Sequence, residues 1–75
     1  MIEAKHRKKL IDLFENVDYR KIVSERVPCH PNTVYNVLVN GNSNALVETE
    51  ILVLAKEVSE QKQKRKEAQG FLEQL

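Results

Sequence analysis

Seventy-five residues leave room for one domain, and the composition, 41% apolar and 31% charged, is that of a folding chain, neither disordered nor membrane-embedded. Twelve basic against eleven acidic residues give a net charge of +1, which excludes a strongly basic or acidic protein as a whole. With two Gly, two Pro and no Trp, an all-β fold is short of turns, and the core must be built from Leu, Ile and Val.

The first predicted element is a helix over residues 2–16. Leu10, Leu13, Phe14 and Val17 fall at i, i+3, i+4 and i+7, with His6 one turn earlier on the same stripe. Lys5, Arg7, Lys8 and Lys9 surround its N-terminal part. Glu3 and Lys5 interrupt the opening residues, so no secretory leader is expected. Asp18 is a suitable N-cap for a short second helix, residues 19–27, with Tyr19, Ile22, Val23 and Val27 inward. Pro28 ends it, because proline has no N–H and pushes the preceding residue out of the α region.

A third helix, residues 31–39, follows almost at once. His30 or Cys29 sits at its cap, Pro31 fits the first helical position, and Val34, Val37 and Leu38 face inward. Cys29, the sole cysteine, excludes an internal disulfide and a cysteine-rich zinc site, fits a reducing cytosol, and reads as a small core residue at the turn. Gly41 suits a left-handed position after the helix. Ser43 or Asn44 then caps a fourth helix from Ala45, whose stripe is Val47, Ile51, Leu54, Ala55 and Val58.

Beyond Ser59 the chain turns polar, with Lys62, Lys64, Arg65 and Lys66 close together, before Phe71, Leu72 and Leu75 restore apolar character. Two readings stand side by side: a frayed, solvated helix extension, or an apolar tail that docks on a second subunit. The longest unbroken apolar run is the five residues 51–55, far short of the ~20 a bilayer span requires.

Charge is unevenly placed. Residues 1–26 carry seven basic and five acidic side chains, residues 45–75 carry five and six, and residues 27–44 carry none. That neutral segment is nonetheless rich in hydrogen-bonding groups, among them His30, Asn32, Thr33, Tyr35, Asn36 and Asn40. Such a surface suits the reading of hydrogen-bond patterns; a polar loop around one buried helix is the other reading.

The second and third helices are separated by three or four residues, the spacing of a helix-turn-helix, which presents the polar face of its second helix outward. At Ile22-Val23-Ser24, Thr33-Val34, Val37-Leu38 and Asn40-Gly41 the chain resembles the lambda-repressor-like and lac-repressor-like DNA-binding domains, as found in short phage- or plasmid-type bacterial regulators. It departs from them at Pro28, where the family prefers a glycine, so the turn takes another shape. The resemblance implies an all-α fold of four helices, five at most, with the helix-turn-helix motif over 18–41, a DNA-binding domain over 1–59 and a charged extension over 60–75. It also implies base readout by Asn32 and Asn36, and phosphate approach by His30, Thr33, Tyr35 and Lys21. Asparagine can bond adenine N6 and N7 in a bidentate way. Each of these residues also has a structural reading: Asn32 at a helix start, Thr33 as a local cap, Tyr35 packed on a neighbouring helix.

The expected function is sequence-specific binding of double-stranded DNA and regulation of transcription in the cytoplasm. A helix without Lys or Arg neutralises no phosphate. Flanking cations (Lys5, Arg7, Lys8, Lys9, Arg20, Lys21, Arg26 and 62–66) must therefore supply affinity, and a homodimer through 45–58 or 71–75 is expected. The alternative is a small helical protein-interaction adaptor. No cofactor, metal or catalysis is expected: there is no phosphate-binding glycine loop, nucleophile–base set or spaced ligand group.

Overall fold

Four helices account for most of residues 2–75, which the computed structural model describes: α1 (Ala4–Leu13), α2 (Tyr19–Arg26), α3 (Pro31–Leu38) and α4 (Ala45–Glu73). No strand forms among the described residues, so the fold is all-α with four helices.

The helix α1 is shorter than its periodicity suggests. After Leu13 the chain tightens into i→i+3 bonds, Glu15 N–H to Asp12 O (3.3 Å) and Val17 N–H to Phe14 O (3.0 Å). That turn swings Phe14 into the core, where its ring stacks on Tyr19 at 5.4 Å between centroids. The Leu13 carbonyl left open at the helix end accepts from Lys62 Nζ at 3.1 Å. His6 is exposed, so the apolar stripe of α1 starts at Leu10 and not one turn earlier. Ile2, ahead of the helix, is buried instead.

Caps set the other boundaries. Asp18 Oδ1 accepts from Lys21 N–H (3.4 Å) at the start of α2. The helix ends at Arg26, one residue earlier than periodicity suggests, because Val27 precedes proline and is extended (φ −112°, ψ 105°). At α4, Asn44 Oδ1 accepts from Val47 N–H (3.2 Å) while Glu48 Oε2 accepts from Asn44 N–H (3.3 Å). This reciprocal pair seats a buried carboxylate at the positive end of the helix dipole.

One core joins all four helices. Val23, Val34, Val37, Leu38, Val47 and Ile51 are fully enclosed, with Leu10, Phe14, Leu54 and Val58 around them. Leu, Ile and Val dominate it, and Cys29 packs half-buried at its edge. The α4 stripe ends at Val58, yet the helix does not fray. It runs to Glu73 as one rod of about 43 Å at 1.5 Å per residue, nearly the full 48 Å length of the molecule. No helix among the described residues is long and apolar enough to cross a membrane.

Candidate nucleic-acid interface

Between α2 and α3 lie Val27, Pro28, Cys29 and His30. A proline cannot adopt the left-handed backbone of a glycine, and this turn does without it. No residue in it has positive φ. Val27 is extended, its N–H still bonded to Val23 O at 2.8 Å, and Cys29 leans on the core while the chain reverses. His30 then caps α3 with its ring: Nδ1 accepts from Asn32 N–H at 3.1 Å. That bond assigns His30 a structural task in addition to any contact with a partner.

The inward side of α3 is Val34, Val37 and Leu38, all buried. At 100° per residue the opposite side carries Asn32, Asn36 and Asn40, each one turn after the last. Asn32 and Asn40 are exposed and Asn36 is half-buried. The Asn36 carboxamide is not free to spin, since its Oδ1 accepts from Asn40 Nδ2 at 2.8 Å. Thr33 and Val39 are half-buried at the margins.

Tyr35 is 39% exposed, and the Arg20 guanidinium of α2 stands 5.7 Å from its ring centroid. Fifteen residues separate the two in sequence, and no periodicity relates them. Their pairing places a cation directly beside the neutral helix. Lys21, next on α2, is exposed.

Other cations are committed elsewhere in the chain. Arg7 Nη1 donates to the Val39 carbonyl at 3.0 Å. Arg26 makes a 2.9 Å ion pair with Glu57, which raises the proton affinity of its guanidinium, and Lys62 caps α1. Lys5 stands 3.5 Å from Glu3 at the surface. Arg7 thus touches the end of α3 while bonded within the chain, and Arg20 stands beside the helix at Tyr35.

The end of α3 is also tightly held. The Asn36 carbonyl accepts from both Asn40 N–H and Asn42 N–H at 3.1 Å, and Gly41 at φ +75° turns the chain away. Comparison of the chain with known protein families, with characterised proteins and with solved structures finds no match to any of the three.

Proposed function

We propose that the chain binds double-stranded DNA by setting α3 in the major groove, and that it regulates transcription as a small helix-turn-helix protein. The observation that carries this reading is the pair Asn32 and Asn36 on the face of α3 opposite the core, continued by Asn40 just past its end, with Arg20 beside it at Tyr35 and Lys21 exposed next on α2. Asparagine amides carry one acceptor and two donors, the complement of an adenine edge. The Asn36–Asn40 bond uses one lone pair of Asn36 Oδ1 and leaves Nδ2 and the second lone pair for a base. In this reading Arg20, Lys21, Thr33 and the Tyr35 hydroxyl approach phosphates. Base contacts give the sequence preference, and the two cations with Lys8 and Lys9 give the salt-dependent part of the affinity.

The experiment is a gel-shift with random duplexes at two salt concentrations, followed by sequencing of the retained DNA. A recovered consensus and a steep loss of binding with salt support the reading. Absence of retention at low salt refutes it, and leaves the exposed ring of Tyr35 as the centre of a protein-binding surface.

A further inference from the structure

Beyond Lys62, every residue from 63 to 75 except Gly70 is exposed. A helical segment of that length without tertiary packing is marginal in water. Yet this one carries Phe71 at 62% and Leu75 at 87% exposure. At the other end of the same helix, Leu46 (69%) and Val53 (43%) are exposed too. Scattered exposed apolar residues need no explanation. These do not scatter. Leu46, Glu50, Val53, Glu57, Lys64, Ala68, Phe71 and Leu75 follow one another at intervals of three, four or seven, which keeps them on one stripe of α4.

We propose that a second copy of this chain covers that stripe, the two α4 helices running antiparallel about a two-fold axis between Glu60 and Gln61. In this register Leu46 meets Leu75 of the other copy, Val53 meets Ala68, Phe71 lies over the stem of Glu50, and Glu57 faces Lys64. Each pair occurs twice, as an isologous interface requires. Charge selects the direction. Glu50 and Glu57 occupy the first half of the stripe, and Lys64 lies in the second half. Parallel helices would set Lys64 on Lys64, whereas antiparallel ones set basic against acidic along the pair. Glu57 keeps the room for this, since its side chain is still 44% exposed with Arg26 bound. The interface stands independently of any role of α3.

Sedimentation equilibrium of the full chain tests it. Twice the chain mass is expected at tens of micromolar, and a monomer there overturns the proposal. Val53→Glu with Phe71→Glu should give a monomer of unchanged body fold, because neither residue belongs to the core; a persistent dimer overturns the proposal. Lys64→Glu or Glu57→Lys alone should weaken association about tenfold, and the two together should restore it; failure of the double reversal overturns the pairing. In a Cys29→Ser background, a chain with Val53→Cys mixed with one carrying Ala68→Cys should form a mixed disulfide. A preference of the Cys at 68 for its own copy would instead indicate parallel helices and overturn the register.

Discussion

The guanidinium of Arg7 on α1 holds the C-terminal end of α3, donating from Nη1 to the Val39 carbonyl at 3.0 Å and lying flat against Gly41. A Cβ built on Gly41 would stand 2.9 Å from Arg7 Cζ, and φ at that position is +75°. Two separate demands therefore keep residue 41 a glycine: a left-handed backbone and the space taken by a neighbouring side chain. Arg7→Met removes a charge-assisted bond and should cost about 1.5–3 kcal/mol. Gly41→Ala should cost about 1–2 kcal/mol for the backbone alone, and more with Arg7 in place. Chemical denaturation of both single variants and the double variant separates the terms. The double should be less unstable than the sum, since Met can move away from a methyl group where a tethered guanidinium cannot; strict additivity would show that the close approach carries no strain.

Specificity in the DNA reading depends on a residue that need not touch a base. The Asn40 amide fixes the rotation of the Asn36 carboxamide through the 2.8 Å bond between them. Asn36→Ala should lose about 1–3 kcal/mol of discrimination at one base position. Asn40→Ala should lose part of the same discrimination at the same position, with affinity for random DNA unchanged. Arg20→Ala and Lys21→Ala should do the opposite, lowering affinity for all sequences and flattening the salt dependence. Parallel selections with the four variants measure both effects, and a consensus unchanged in Asn36→Ala would remove base readout from this residue.

The helices and their caps were legible because they are local. Asp18, Pro31, Gly41 and Asn44 announce boundaries through chemistry with neighbours a few residues away, and the structure uses each of them there. The α4 stripe from Val47 to Val58 was equally plain, for periodicity and burial coincide. What pattern could not reveal depends on distant residues. Arg7 looks like one of four α1 cations until Val39 comes within reach, and Arg20 has no local tie to Tyr35. The end of α1 was misplaced for the same reason: Phe14 continues the helical period, but its stacking on Tyr19 favours a turn. Nor does composition announce the helicity of 60–73, where polar residues fit a helix and a coil alike.

Burial raises the phenol pKa of Tyr19 above its ordinary 10.0; the nearby Arg20 charge opposes this and Tyr35 adds to it. A raised folded-state pKa stabilises the fold at pH below the unfolded value, and that contribution disappears as pH climbs through the folded one. Stability should accordingly hold across neutral pH and decline above pH 10.0. In a Tyr35→Phe variant, Tyr19 is the only remaining phenol, so phenolate absorbance reports it alone. The titration should lie to the alkaline side of the same variant in denaturant; coincident curves would show that the Phe14–Tyr19 stack does not desolvate the hydroxyl.

Gly70 presents the reverse of Gly41. It lies inside α4 with ordinary helical backbone, and a Cβ there would meet nothing within 4 Å. No contact in the chain requires glycine, so Gly70→Ala should favour the helical extension by about 1 kcal/mol. The position faces away from the stripe that includes Phe71 and Leu75, so the substitution should leave pairing of two α4 helices intact. Far-UV circular dichroism should show equal or greater helicity, and hydrogen exchange should slow at residues 63–73 and not in the core. Faster exchange in that segment would mean that the glycine serves a close contact, made by a second chain, which an alanine blocks.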